Sequence, residues 1–317
     1  MTSKIIERIE RQVGVPGLMD ALAERLSLTD LQSLLLEVFR RRSAQQNPAA
    51  VLAAYEANRF VRPSQVSPVQ LLAWEQVAFS QLPSEFQPIA LSPVTPLATC
   101  SAIAAVDQHR VLSTIRNTEV VSDSTNTLAL EAAFQRRQHL RANPKSPQAV
   151  HLAASHRLLR TQHYQNNPHA LAHFSAFALC SAGRDQGNLR FECSVLVLHI
   201  GFYLRALYAF LGAEVPLHVS VADFDAADRQ AWLAEQLFIP LRALFPQAEY
   251  RFDQQRTSGE GYYDDLCFHV HAASPSGQLL ELADGGVVNW TQKLLNNAKE
   301  RCVISGIGSE RVCTAWA

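Results

Sequence analysis

SGIGSERV, Ser305 to Val312, closes a predicted strand on two glycines and opens a helix. Glycine lets the backbone approach a ligand closely, and Arg311 beside that surface is a permanent cation suited to phosphate, with Gly308 and Glu310 in the same turn. An ordinary Gly-x-Gly turn before a surface arginine accounts for the same letters, so the segment acquires meaning only from what precedes it. Upstream, LLELADGGVVNW sets Glu281 on a strand before a predicted Gly285-Gly286 turn, where its carboxylate carries a metal ion or faces water. In GEGYYDDLCFHV, Tyr262 and Tyr263 are neighbours on a predicted strand and so face opposite sides, one toward a pocket and one into packing.

Further back, HRLLRTQ, HYQNNPHALA and HFSAFALCS read as strand, polar loop and strand. The pairing puts Arg160 and Gln162 opposite His173 and Phe177. An arginine facing an aromatic ring across a hairpin can hold a phosphate and a flat heterocycle together; a plain hairpin with Phe174 or Phe177 in the core is the other reading. In VVSDSTNTLALEAA, Asp123, Ser124 and Thr125 end a strand and Asn126 can cap the next helix, with Asp123 either part of that cap or a ligand for a substrate amine.

The surrounding composition is that of a globular chain. Of 317 residues, 48% are hydrophobic and 18% charged, which excludes disordered and fibrous classes. Lys plus Arg is 28 against 29 for Asp plus Glu, a net charge of -1 that argues against a surface coated by nucleic acid. No two of the six cysteines have CxxC spacing, which disfavours a zinc knuckle or a thioredoxin-like motif. The opening MTSKIIERIERQ has no apolar signal core, so reduced thiols and a cytoplasmic location are expected. Val195 to Ala213 is apolar but carries His199 and Arg205, and reads as a buried core helix rather than a membrane span.

Residues 1–62 are predicted as a helical arm. Within it, LTDLQSLLLEVFRRR has Thr29 or Asp30 as a cap and Leu31, Leu34, Leu35 and Phe39 on one face. The Arg40 to Arg42 run is its solvated end or a tether for RNA. RPSQVSP marks the boundary to a domain over 63–317. There the pattern predicts helices over 69–81, 126–140, 190–212 and 227–245. Strands are predicted in PIALSPV, HRVLSTI, HLAASHRLLRTQ, HFSAFALCS, PLHVSVA, LCFHVHA, QLLELA and CVISGIG. Strands joined by long mixed connections give an α+β class on a mainly antiparallel sheet flanked by helices.

Taken in order, the RxQ strand, the loop, HxxxF, the long helix, the tyrosine pair, the glycine pair and GxGxER resemble the catalytic domain of class II aminoacyl-tRNA synthetases over residues 68–312. LRTQ with HFSAF is similar to motif 2, GIGSER to motif 3, and helix 69–81 with PIALSPVTP to motif 1, the dimerisation element. SDST and YYDDLCF resemble the histidyl-tRNA synthetase branch. The resemblance implies that a small carboxylate or amino acid attacks the α-phosphorus of ATP, with catalysis by charge neutralisation and positioning. Arg160 would meet the α-phosphate and Arg311 the γ-phosphate. Phe177 would stack on adenine; Gln162, His173, Gly308 and Glu310 would complete the nucleotide site. Glu281 would hold Mg²⁺, and Asp123, Thr125, Tyr262 and Tyr263 would contact the acid.

Three departures separate this chain from the histidyl pattern. Gln162 replaces a glutamate, GGVVN replaces GGRYD, and SGEG replaces RGLD, leaving Arg256 as a displaced arginine six residues before Tyr262. The sequence ends six residues after Arg311, so no anticodon-binding domain is expected and tRNA is not the expected acceptor. Expected instead is a homodimeric paralogue. It is either a ligase acting on a non-tRNA acceptor, such as a protein partner, or a regulatory subunit resembling that of ATP phosphoribosyltransferase.

Overall fold

Long apolar runs become strands where both faces of a sheet can be covered. HFSAFALCSAGR is buried along nearly its whole length, as a central strand requires. The structure, a computed structural model, describes residues 2–161, 172–225, 229–275 and 277–316. Its strands are β1 (Gln87–Pro88), β2 (Val94–Pro96), β3 (Thr118–Val120), β4 (Val150–Leu159), β5 (His173–Arg184), β6 (Leu217–Asp223), β7 (Glu249–Phe252), β8 (Leu266–Ala273), β9 (Leu279–Val288) and β10 (Glu300–Gly308). The helices are α1 (Thr2–Val13), α2 (Leu18–Asp20), α3 (Leu28–Ser43), α4 (Pro48–Ala57), α5 (Pro68–Ser80), α6 (Thr99–Ala104), α7 (Ser124–Ala142), α8 (Arg190–Leu211), α9 (Gln230–Leu233), α10 (Ile239–Leu244), α11 (Trp290–Leu295) and α12 (Ser309–Ala315).

Eight strands form one sheet in the order β1-β4-β5-β10-β9-β8-β6-β7. Its interior pairs are antiparallel, and only the outermost pairs, β1 with β4 and β6 with β7, are parallel. This is the α+β, mainly antiparallel class that the sequence predicts. Side-chain alternation divides the core in two. Phe177, Leu179, Val303 and Phe268 pack with α8, α5 and α10 on one face, while Ala178, Cys180, Ile304 and Cys267 pack with α7 and α11 on the other.

Among the described residues, α8 alone has the length and hydropathy of a bilayer span, yet most of it is buried in the protein. His199 explains its polar spot: fully buried, it bonds Ser181 Oγ through Nε2 at 2.8 Å and Ser305 Oγ through Nδ1 at 2.7 Å. A second buried polar group ties α7 to β10. Arg136 donates to both carboxylate oxygens of Glu300, at 2.8 and 2.7 Å, and neither side chain is exposed. The described cysteines are all free and buried.

Several local expectations need correction. HRVLSTI is mostly loop with one bridge, Ser113 to Glu119, and PIALSPV supplies only the ends of β1 and β2. The α3 cap is Ser27, which accepts from the Asp30 amide, rather than Thr29 or Asp30. Gly285 and Gly286 make no turn: they lie inside β9, where a Cβ on Gly285 would meet the Ile304 carbonyl oxygen at 2.6 Å, and one on Gly286 the Tyr263 ring at 2.6 Å. Close packing, not reversal of direction, demands glycine there. In α1 to α4 no described side chain reaches the buried class.

Candidate functional site

The α7 side of the sheet opens, toward the ends of β4, β5 and β10, into a cleft of about 560 Å³. Arg160 enters just beyond the end of β4. Its Nε donates to the Ser122 carbonyl at 3.0 Å, its guanidinium lies 5.2 Å from the centre of the Phe174 ring, and one Nη stands 3.8 Å from Asp123. Asp123 caps α7, so Asn126 does not: Oδ1 accepts from the Thr125 amide at 2.9 Å and the Thr125 hydroxyl at 2.7 Å. The other oxygen, Oδ2, is left for Arg160 and for the Tyr262 hydroxyl, 3.4 Å away. Asn126 is buried and donates to Cys100 Sγ at 3.3 Å.

Tyr262 and Tyr263 lie in the turn before β8, not on a strand. Their rings meet edge to face at 5.0 Å, and both line the cleft. Tyr263 donates to Asp284 Oδ1 at 2.6 Å. Burial, aided by Asp123 beside Tyr262 and Asp284 beside Tyr263, pushes both phenols well above their ordinary range, so they act as hydroxyl donors. Burial also works to raise the Asp284 carboxyl, but hydrogen bonds from His269 and Tyr263, with the nearby Arg256 charge, hold it below the usual carboxylate range.

Across the cleft, Arg311 follows Gly308 at the start of α12, and its Nη1 donates to the Glu281 carbonyl at 2.6 Å. The Glu281 side chain lies 3.5 Å from His269 Nε2. Sequence reasoning left Arg256 aside as displaced, yet its side chain is nearly buried in this same cleft. Its Nε donates to the Ser258 carbonyl at 2.8 Å, one Nη is 3.7 Å from Asp284, and Nη1 is buried with no hydrogen-bond partner.

Asp123, Thr125, Arg160, Tyr262, Tyr263, Glu281, Gly308 and Arg311 therefore share one cleft, whereas three predicted residues lie elsewhere. Phe177 is fully buried on the opposite face of β5, 4.9 Å from Phe79 and 5.3 Å from Phe202, and cannot stack on a ligand. Phe174, an odd number of residues away, projects into the cleft instead. His173 accepts from Arg157 at 2.9 Å and bonds the Arg62 carbonyl through Nε2 at 2.6 Å. Glu310 is buried, accepting from Arg157 at 2.7 Å and from Ser64 Oγ at 3.0 Å. Both tie the 62–64 linker to the sheet and leave the cleft. Gln162 lies outside the described residues.

The chemistry of the lining is that of a binding and positioning site. Burial holds the Cys100 thiol above its ordinary pKa, so it supplies no ready thiolate. The cleft offers cations for an anion, the Asp123 Oδ2 shared by Tyr262 and Arg160, and the Phe174 ring. Mg²⁺ on Glu281 fits poorly, because the nearest donors to that carboxylate are imidazoles and Mg²⁺ selects oxygen ligands.

No family model matches the sequence, and no curated protein does. Solved structures do match in fold. An ATP phosphoribosyltransferase regulatory subunit/histidyl-tRNA synthetase from Bacillus halodurans superposes with a TM-score of 0.58 at 14% identity, covering 80% of this chain and 82% of that one. Apo histidyl-tRNA synthetase from S. aureus gives 0.56 at 15% identity, covering 80% and 68%. A threonyl-tRNA synthetase structure from Cryptosporidium parvum gives 0.53 at 8% identity, covering 78% and 62%. The fold is class II synthetase-like.

Proposed function

From a class II synthetase-like fold with Arg160, Arg256 and Arg311 on one cleft, we propose that this chain binds ATP there and adenylates a small carboxylate or amino acid for a non-tRNA acceptor. The observation that carries the reading is the convergence of four arginines on the cleft, Arg110, Arg160, Arg256 and Arg311. Arg160 and Arg311 bind phosphate oxygens, Phe174 offers its ring to the base in place of Phe177, and Asp123 Oδ2 with the Tyr262 hydroxyl receives the amino group of the acid. The carboxylate oxygen bonds to the α-phosphorus as the bond to pyrophosphate breaks. ATP enters as its Mg²⁺ complex, and no step of this reading depends on Glu281 as a magnesium ligand. The residues that would orient histidine in the resembling branch are rewritten here as SGEG and GGVVN.

Calorimetry with ATP and pyrophosphate exchange screened over the amino acids test this function. Arg311→Ala should weaken ATP binding by about 1.5 to 3 kcal/mol, the scale of a charge-assisted hydrogen bond. Wild-type protein that gives no binding heat at millimolar nucleotide refutes the reading. A regulatory role is the second reading, favoured by the regulatory-subunit description of the first neighbour and by the engagement of Arg311 on the Glu281 carbonyl. It predicts ligand binding without exchange.

A further inference from the structure

Between β8 and β9 the register slips by one residue. His269 pairs with Asp284 and Val270 with Ala283, but His271 pairs with Glu281, so Leu282 is left over as a bulge. Without the slip Leu282 would stand opposite His271. With it, Glu281 takes that place, and two imidazoles and two carboxylates gather at one spot on the sheet. The His269 and His271 rings meet edge to face at 5.4 Å. His269 Nε2 is 3.5 Å from Glu281 Oε2 and 3.8 Å from Asp284 Oδ2. One ligand atom from each of His269, His271 and Glu281 lies within 4.8 Å of the others. His271 Nδ1 is buried and has no hydrogen-bond partner.

We infer that His269, His271 and Glu281 form a binding site for a divalent transition-metal ion, with Zn²⁺ as the fitting probe. Two imidazole nitrogens and one carboxylate are the three-ligand set of open zinc and non-haem metal sites, whereas Mg²⁺ and Ca²⁺ select oxygen. Ligands about 2.0 to 2.2 Å from a tetrahedral ion stand roughly 3.3 Å apart, so the trio, within 4.8 Å of one another, has only a short distance to draw in around an ion. The ion gives the buried His271 Nδ1 the partner it lacks. Asp284, accepting from Tyr263 through Oδ1, presents Oδ2 to the same His269 nitrogen that faces Glu281 and so adds negative charge beside the ion. His269 and Glu281 also line the cleft, so a bound ion sits at its wall, open to an incoming ligand. The site stands on its own residues and does not depend on the nucleotide reading.

The test uses the untagged full chain, stripped by dialysis against EDTA and titrated with Zn²⁺ and then Co²⁺ in the absence of nucleotide. One Zn²⁺ per chain is expected, with visible d–d absorption on Co²⁺ loading and no uptake of Mg²⁺ at the same concentration. His269→Gln and His271→Gln should each weaken Zn²⁺ binding by at least about 100-fold and Glu281→Gln by at least about 10-fold, with circular dichroism verifying the fold. Loss of fold in one variant leaves the other two and the wild-type cobalt spectrum to decide. A wild type that takes up no Zn²⁺ at micromolar concentration overturns the assignment, as does full retention in both histidine variants. ATP binding is scored separately on the stripped chain after EDTA has been dialysed away and Mg²⁺ supplied without Zn²⁺, so failure of the metal site and failure of the nucleotide site are distinguishable.

Discussion

Phe174 and Phe177 sit on the same strand but face opposite sides of the sheet, so their truncation separates binding from stability. Phe177→Ala empties a site fully enclosed by Phe79 and Phe202, and should cost about 3 to 5 kcal/mol in denaturant unfolding. Phe174→Ala should cost much less stability and instead weaken ATP binding by about 1 to 3 kcal/mol, the scale of a base stacked on an aromatic ring. Equal effects of the two on both readouts would contradict the assignment of faces. His199 carries a pH dependence. Burial in the core holds its pKa well below the ordinary 6.5, so in acid the unfolded chain takes up a proton that the folded chain refuses. Its contribution is complete above pH 6.5 and falls as pH drops below that value toward the folded pKa. Thermal unfolding should therefore lose midpoint temperature steadily from pH 7 to 5, and His199→Gln should flatten that slope while lowering stability at pH 7. Much of the cleft was legible in the sequence, because Arg160, Arg311 and Asp123 stand beside strand ends and turns that pattern alone can find. The orientation of β5 was not: alternation says that residues 174 and 177 face opposite ways, but not which way the cleft lies. Arg256 was hidden for a related reason, since its approach comes from a loop fold with no periodic signal.

At the scale of elements, β9 shows how a local signal can be overruled. A glycine pair ordinarily marks a turn, and Gly285-Gly286 reads as one until β8 and β10 are seen to press against it from both sides. Gly285→Ala should destabilise the protein by about 1 to 3 kcal/mol, because the new methyl meets Ile304 and Phe268 atoms of the adjoining strands. Gly306→Ala on β10 is the contrast. Its methyl meets only the Phe177 carbonyl oxygen, at 3.9 Å, and stability should be almost unchanged. Urea unfolding of the pair measures the difference directly. The long strands and helices were readable because apolar runs of eight or more residues leave few alternatives. β7 escaped, being four residues long with half its side chains in water. Its pairing is fixed by its neighbour, not by its own composition.

Across the whole molecule, α5 buries Trp74 and Ala78 but turns Val69 and Leu72 outward, with Val69 75% and Leu72 65% exposed. An apolar face of this kind fits the proposal that two copies associate through the region 69–100. Light scattering should give about twice the chain mass of 35.1 kDa, and Leu72→Glu should shift it to the monomer. A wild-type monomer across a wide concentration range contradicts the proposal. The place of β10 in the sheet has a consequence in time. Among the described residues it is the strand that joins the group β1-β4-β5 to the group β9-β8-β6-β7 in the sheet, and it follows all of their strands in sequence. During synthesis the two groups can each form while β5 and β9 wait with open edges, and neither the cleft nor a continuous sheet exists until residues 300–308 emerge and slot between them. Until then β5 and β9 each present an unpaired strand edge, the kind of edge through which chains pair and aggregate.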